Sequence, residues 1–568
     1  MKTCALSALA FLFSFVSLDA QITYEWVKQL AGSSTDWAYD VTVDDDRNVI
    51  TAGTFVMSAD LDPSDQTEAM FIQPDNAVTA FLSKLDENGN YIWAMAFNGA
   101  STARAVVTDD LGNIYLAGTY LDSFDFDNGP GETIVTSQGQ TDCFIAKYSP
   151  AGELYWVRTF GGTGHDGIIR VDINGDGDLV LCGNFSNTVD FDPGNAIADL
   201  TCIEQHTIKD AFVSMFDTDG NFQWVHQFGG ASTQLAEDVK FDSQQNVIVT
   251  GRFSNYMNCD PGISDFTFEF NGDFDYNAFV SKLSNDGSFI WAKRINGIDN
   301  DIGFGVVIDA TDNIIYTGQF GGIVDFDPGT GVNELICDDI YIDSFVSKLD
   351  SDGNFMWVKQ ISSASTDLGT AIDLDENGNI YCVGTAGGVC DFDPGAGVAV
   401  DEWEGAEDIY LCVLDSFGNY LWGQNFGGTD NDGGHAIEVN NGVLYVTGIY
   451  QLDYANFGDF DLMNTGNIDV FVLKMSYPIL NAVNVNNVDL IHVYPNPASE
   501  GFRLRSNSAE TNNNGQLTIT DMAGRMVLRF SNFSLNGEVD VSQVPCGIYS
   551  LNFLNGKTTI HQKLVIER

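Results

Sequence analysis

Basic residues are scarce in this chain: 24 Lys and Arg face 80 Asp and Glu, for a formal net charge of −56. A field of that sign repels phosphate backbones and anionic lipid, which argues against nucleic acid and membrane surfaces as partners. Long apolar runs are also missing. Beyond the first twenty residues nothing approaches the roughly 18 consecutive apolar residues of a spanning helix, so no transmembrane segment is expected. The ten cysteines do not recur in register and form no disulfide framework of a repeat. Cys382 and Cys412 fall on strands expected to be neighbours, and Cys259 and Cys337 fall in loops of successive units. Sequence leaves both pairings open. There is no HExxH, no GxSxG, no Cys–His pairing and no phosphate-cradling loop, so none of the familiar catalytic signatures applies.

What is present is enough apolar material for packed cores, 44% hydrophobic with 12% aromatic. Residues 1–20 carry Lys2, an apolar run over 5–18 and a small residue at Ala20, the pattern of a secretory signal peptide cleaved near Gln21. The acidity is localised. Residues 477–568 hold seven acids and seven bases and the first twenty residues hold one of each, leaving 72 acids and 16 bases to the segment between. Such a surface favours cations, basic partners or simple solvation.

That segment repeats. Trp26, Trp93, Trp156, Trp224, Trp291, Trp357 and Trp422 lie 67, 63, 68, 67, 66 and 65 residues apart, each in a phrase such as DSFVSKLDSDGNFMWVKQ over 343–360. A period of this length marks one structural unit copied seven times. In the sixth unit four strands are expected: A over 370–374, B over 380–384, C over 409–414, and D over 355–361, supplied by the chain just before them. Tight Gly/Asn hairpins join A to B (375–379) and C to D (415–419), while the other connections are longer. Four antiparallel strands repeated seven times predict a closed seven-bladed propeller over 21–476. Residues 24–30 read as a lone D strand and the seventh unit stops at strand C, 470–475, so the amino-terminal strand is expected to close the ring and remove its free edges. The core D-x-x-G-N-x-Y-x-x-G, as in Asp109 to Gly118, resembles the bacterial seven-bladed β-propeller repeat family and is similar to NHL-type repeats. That resemblance implies fold and leaves activity open.

Two acidic columns occupy the long loops. The first is an Asp-x-Asp between B and C: Asp60/Asp62, Asp125/Asp127, Asp190/Asp192, Asp325/Asp327, Asp391/Asp393 and Asp459/Asp461, with Asn258/Asp260 in the fourth unit. Paired carboxylates beside a glycine turn suit calcium; the same residues suit an Asx turn that caps the loop's own amides, with the intervening Phe as anchor. The second column precedes strand A: Asp36, Asp166, Asp301, Asp367 and Asp432, with Ser101 and Gln234 in the other two units. These residues would either concentrate cations at a channel mouth or cap the turn. Asp172 to Asp178 opens like an EF-hand loop, but Gly183 stands where the bidentate Glu is required, which favours an ordinary hairpin. His165, Arg170 and His206 are the candidates for an acid/base cluster in the third unit, with Asp166 beside His165; His435 is the third histidine on the long-loop face.

After a polar linker (477–490) the texture changes. Residues 491–568 read as a small Ig-like β-sandwich. Tyr494-Pro495-Asn496-Pro497, Asp521-Met-Ala-Gly524, Gly547-Ile-Tyr549 and Lys563-Leu564 resemble the type A C-terminal sorting domain of type IX secretion cargo. The resemblance implies export to the periplasm, passage across the outer membrane by the secretion machinery, and a secreted or surface-attached product that commonly loses the tail. Repetition favours a binding or adhesion module for a glycan or protein ligand. The alternatives are a polysaccharide lyase or hydrolase and a surface-layer or matrix component.

Overall fold

In a computed structural model the chain divides into two compact units, Met1–Pro478 and Ile479–Arg568. The structure describes residues 22–64, 70–72, 77–97, 99–129, 131–203, 208–269, 275–295, 297, 299–337, 341–363, 365–395, 399–401, 405–452, 454–477, 491–494, 501–506, 514–521, 526–534, 538–545, 547–555 and 558–566. The signal peptide, the linker beyond Tyr477, Pro495 to Pro497, Gly524 and His206 lie outside them. Every regular element among the described residues is a strand.

The first unit is a seven-bladed propeller. Each blade is a four-stranded antiparallel sheet in the order A-B-C-D, as in the fifth: Ile302–Ile308, Ile314–Gly321, Ile342–Leu349 and Phe355–Ile361. This corrects one expectation. The strand at 355–361 pairs with strand C of the fifth blade through Lys348 and Trp357, and the sixth blade's outer strand is Tyr420–Gly428. Strand D follows strand C in the chain because the five-residue turn between them is too short to reach another blade. In the seventh blade the turn is missing and Thr23–Gly32 takes the D position, pairing with Ile468–Ser476 from Thr23 to Leu30. The first described strand thus completes the last blade and closes the ring, leaving only the outer D strands as short edges.

The repeat motif is explained by contacts between blades. In each D-x-x-G-N turn the Asp carboxylate accepts two backbone N–H bonds, as Asp86 does from Asn88 (2.8 Å) and Asn90 (2.9 Å), and the Gly adopts a left-handed conformation, φ 74° at Gly89. In the C-to-D turns the Trp of the preceding blade lies on that Gly: a Cβ at Gly89 would meet the Trp26 ring at 3.0 Å, and one at Gly220 the Trp156 ring at 3.0 Å. The indole N–H of Trp26 donates to Glu87 O (3.1 Å) and that of Trp224 to Asn285 O (2.8 Å). Beside them runs a row of buried ion pairs, Lys84–Asp44, Lys282–Asp242 and Lys348–Asp309, each 2.8 Å. Wherever the next blade has a C-to-D turn, the tryptophans therefore pin blade to blade at the short-turn face.

The eight described propeller cysteines are buried free thiols. Cys382 and Cys412 are register partners but are not joined. Instead the Cys382 sulfur contacts Thr317 Oγ1 (3.2 Å) and the Tyr410 hydroxyl (3.4 Å).

The second unit holds a three-stranded sheet (Ile491–Tyr494, Gly501–Ser506, Glu538–Asp540) and a four-stranded sheet in the order Met526–Ser534, Asn514–Asp521, Gly547–Asn555, Thr558–Ile566. Phe502 and Val539 from the first share a core with Leu517, Ile519, Tyr549 and Leu551 from the second. Gly547, Lys563 and Leu564 lie on its paired strands.

Candidate functional site

Strand A of every blade lines the central channel, and every strand A is bulged at the same place. The pairing with strand B skips one residue in each: Tyr39, Arg104, Ile169, Glu237, Phe304, Thr370 and His435. A bulge re-aims its extra side chain out of the alternating pattern. Here the cause is a glycine in strand B, the last residue of the repeat motif. A Cβ at Gly53 would lie 2.2 Å from Trp37 O, at Gly118 1.9 Å from Thr102 O, and at Gly318 1.8 Å from Ile302 O. Gly183, Gly251, Gly384 and Gly448 are equally crowded, by Gly167, Leu235, Leu368 and Gly433. Only a residue without a side chain lets the carbonyl beside the bulge press this close.

The seven re-aimed side chains, with Trp37 and Arg170, enclose a cavity of about 200 Å³ at the end of the channel where the long loops lie. Backbone symmetry is kept and side-chain symmetry is not. One wall is a continuous stack crossing the ring closure: His435 on Trp37 (centroids 5.3 Å, 6° between planes), Trp37 on Tyr39 (6.3 Å, 17°), and Arg104 Cζ 4.4 Å from the Tyr39 centroid. Phe304 and Thr370 enter from the fifth and sixth blades. The His435 Nδ1–H donates to Ala38 O (2.8 Å), which leaves Nε2 as an acceptor. Burial, with the positive charges of Arg170 and Arg104, lowers His435 to about 4, so the ring is neutral at ordinary pH.

Beneath the cavity the channel narrows to a charged layer of Asp40, Asp238, Lys240, Asp373 and Glu438, with Arg170 facing both levels. The acids also bind blade to blade. Asp40 accepts the Val106 N–H (2.9 Å), Asp172 the Phe241 N–H (2.9 Å), Asp238 the Val306 N–H (2.8 Å) and Asp373 the Val439 N–H (2.7 Å). Burial raises Asp373 to about 6.

The residues expected from sequence fall elsewhere. The column Asp36, Asp166, Asp301, Asp367 and Asp432 is buried, at most 2% exposed, and does not line the channel mouth. Four of these carboxylates cap the loop, as Asp166 Oδ2 accepts the Gly162 N–H (2.7 Å) and Oδ1 the Ser186 N–H (2.9 Å), and Asp432 accepts from Gly428 (2.6 Å) and Gln451 (2.8 Å). Burial raises Asp36 to about 8, Asp166 to about 6, and Asp367 and Asp432 to about 7.

In the Asp-x-Asp column the first acid accepts two loop amides. Asp125 binds the N–H groups of Asp127 (3.0 Å) and Thr133 (2.8 Å), Asp190 those of Asp192 and Ala198, Asp325 those of Asp327 and Asn333, and Asp391 those of Asp393 and Ala399. The second acid accepts the amide two residues on: Asp127 from Gly129, Asp192 from Gly194, Asp327 from Gly329, Asp393 from Gly395 and Asp62 from Ser64; Asp60 accepts from Asp62. These are Asx turns. They shape a hairpin that docks on the outer edge of the preceding blade, as Asp190 does opposite Gly161.

The last unit is out of step with its expected alignment. Asn456 takes the Asp190 place, opposite Gly427, and its side chain accepts the Gly458 N–H. Asp459 and Asp461 come three and five residues later and are exposed, with Asp461 accepting from the Asn456 amide (2.8 Å). Among the described residues no three His, Cys, Asp or Glu side chains converge as a metal-binding group. The Asp172–Asp178 hairpin is an ordinary turn in which the Asn174 side chain accepts the amides of Asp176 and Asp178.

Of the expected acid/base cluster, His165 and Arg170 are described, and they lie apart. Arg170 is in the channel, whereas His165 is exposed on the loop before strand A, with its ring beside Thr141 Oγ1 (3.2 Å). Tyr39, Arg104, Glu237, Phe304 and Trp37 were not anticipated. For the bulge residues the signal was a fixed spacing: each precedes the strand B glycine of its motif by fourteen residues, thirteen in the last blade.

Comparison with known proteins supports both units. The secretion system C-terminal sorting domain family matches residues 492–567, and the β-propeller repeat family matches residues 357–389. An uncharacterized WD repeat-containing protein of Acanthamoeba polyphaga mimivirus is 24% identical over 429 residues, 65% of this chain and 31% of its own length. The regulatory protein FlaEY of Caulobacter vibrioides is 22% identical over 241 residues, 41% of this chain and 24% of its own. The chain thus spans a third or less of the curated relatives it matches. Among solved structures, Sqt1 from Chaetomium thermophilum aligns with TM-score 0.39 at 8% identity, covering 81% of this chain and all of that one. PorZ, a surface component of the type IX secretion system of Porphyromonas gingivalis, aligns with TM-score 0.21 at 10% identity, covering 95% of this chain and all of that one. With its seven blades and its sorting tail, the chain is a β-propeller repeat protein that a secretion-system C-terminal domain directs, by the type IX route, to the cell surface or beyond.

Proposed function

We propose that the exported propeller is a binding module, acting in adhesion or capture, and that it recognises its ligand at the ring of bulged side chains. One observation carries this reading: seven equivalent backbone positions present seven different residues to one cavity. A scaffold role alone would let the position repeat, as the Trp and the turn Gly do. A recognition site needs one asymmetric constellation, and a small concave pocket lined by aromatics with a few polar groups is its usual form. Of the candidates for catalysis, His165 is exposed on its loop while Arg170 lines the cavity, and this separation favours binding over the hydrolase or lyase reading.

The test is an array of glycans and surface proteins probed with the full chain and with Trp37→Ala. Signals obtained with the wild type are expected to be lost in the variant while its melting midpoint stays close to the parent. Undiminished binding by a folded Trp37→Ala protein would refute the assignment of the site.

A further inference from the structure

The cavity is charged differently from the rest of the propeller. The repeats hold 72 acids against 16 bases, yet two arginines of adjacent blades, Arg104 and Arg170, enter this one mouth. Of the other fourteen bases, seven, Lys84, Lys147, Lys240, Arg252, Lys282, Lys348 and Lys474, lie within ion-pair distance of a carboxylate; what marks Arg104 and Arg170 is that they share one cavity. Among the described residues neither Arg104 nor Arg170 has such a partner within 4.0 Å. Arg170 Nη1 reaches the carbonyls of Arg104 and Ile169, both at 3.3 Å, and its charge also acts on Asp40 and Asp238 in the layer below. The Arg104 guanidinium lies over the Tyr39 ring, a contact that holds it without neutralising its charge. Glu237, the acid at this level, is held 3.2 Å from Arg252. The positive field is felt by His435, whose imidazole is kept neutral by burial and by these two arginines.

We propose that the mouth binds a carboxylate carried on a ring-faced group about the size of one sugar, with the Arg104 and Arg170 forks on the carboxylate and the ring between the Trp37–Tyr39 wall and Phe304. Arginine forks match carboxylates in plane and in spacing, which an ammonium cannot do. The volume of about 200 Å³ is below the roughly 300 Å³ at which drug-sized pockets begin, so it admits one such unit at the end of a longer molecule. The His435 Nε2 lone pair is an acceptor for a hydroxyl of that unit. A terminal uronic acid and the carboxyl end of an aromatic peptide share this chemistry. The inference rests on the site assignment above and goes beyond it.

The experiment is calorimetric titration of the full chain with three probes: a disaccharide ending in glucuronate, the methyl ester of that disaccharide, and N-acetylphenylalaninate. An acid is expected to bind at least about ten-fold more tightly than the ester, the scale of a charge-assisted pair, and to weaken as salt rises. The tighter of the two acids identifies the source of the carboxylate. Arg104→Gln and Arg170→Gln are each expected to lower acid affinity about ten-fold and leave the ester unchanged, with Arg104→Lys between them. Circular dichroism confirms that each variant folds. Equal binding of acid and ester, or an acid preference that survives both Gln variants, would overturn the proposal. So would failure of all three probes to bind, and if Trp37→Ala still abolished the array signals in that case, the site assignment would stand while the carboxylate inference fell.

Discussion

The two faces of the propeller use the same repeat in opposite ways. At the short-turn face the blades repeat one pattern: a Trp covers the next blade's turn Gly wherever that turn exists, an Asp or Ser caps the hairpin, and in five of seven blades a Lys of strand C meets an acid. At the channel mouth the backbone is as regular, bulged seven times at one register, yet the residues delivered are Tyr, Arg, Ile, Glu, Phe, Thr and His. Where a contact must hold the ring together, identity repeats; where the scaffold only delivers a side chain, identity is free to differ. A single glycine in strand B links the two regimes, because it belongs to the repeat and also creates the bulge.

The comparison can be broken at that glycine. Gly318→Val would place its Cβ 1.8 Å from the Ile302 carbonyl, a backbone clash that costs about 3 kcal/mol and forces the bulge out of register. Chemical denaturation should show the loss; an unchanged midpoint would mean the bulge does not depend on the glycine. A similar loss is expected when a repeated contact is removed. Trp26→Ala empties the joint between the closing strand and the first blade at about 3 kcal/mol. Limited proteolysis should then release the amino-terminal strand first, and a parent-like cleavage pattern would show that closure relies on other contacts.

A smaller effect is expected from pH. Asp36, Asp166, Asp367 and Asp432 titrate at about 8, 6, 7 and 7 in the fold against an ordinary 3.8. Between these values the folded chain holds protons that the unfolded chain has released. Their contribution is therefore complete below about pH 4 and is lost as pH rises through 6 to 8. Melting midpoints should fall from pH 5.5 to pH 8.5, and Asp36→Asn should flatten the upper part of that fall. A midpoint that climbs over this range would show that these carboxyls are not held protonated by burial.

Much of the scaffold was legible in the amino-acid sequence because its causes are local and repeated. The Trp spacing, the Gly/Asn hairpins and the lone strand at 24–30 each follow from short-range rules, and together they specify seven blades and their closure. The misplaced strand at 355–361 arose because a period shows where units recur, not where each one begins. The site was less legible for a related reason. Acidic columns stand out in an alignment of repeats because they repeat, and repetition marked them as turn caps such as Asp125 and Asp166. The mouth residues stand out only as disagreement at a fixed distance from a glycine, and Arg104 or Phe304 carries no motif. That their side chains converge depends on a bulge, which is a property of pairing between strands rather than of either strand alone.

The most direct measurement is an alanine scan of the six long side chains at the bulge positions, Tyr39, Arg104, Ile169, Glu237, Phe304 and His435, with melting midpoint and ligand binding recorded for each variant. The expected result is a separation: midpoints shift by no more than about 1 kcal/mol of stability, while binding is lost for Tyr39, Arg104 and His435, which form the stacked wall with Trp37. Midpoints that collapse while binding per folded molecule is unchanged would contradict it, and would make the ring of seven a packing device rather than a recognition site.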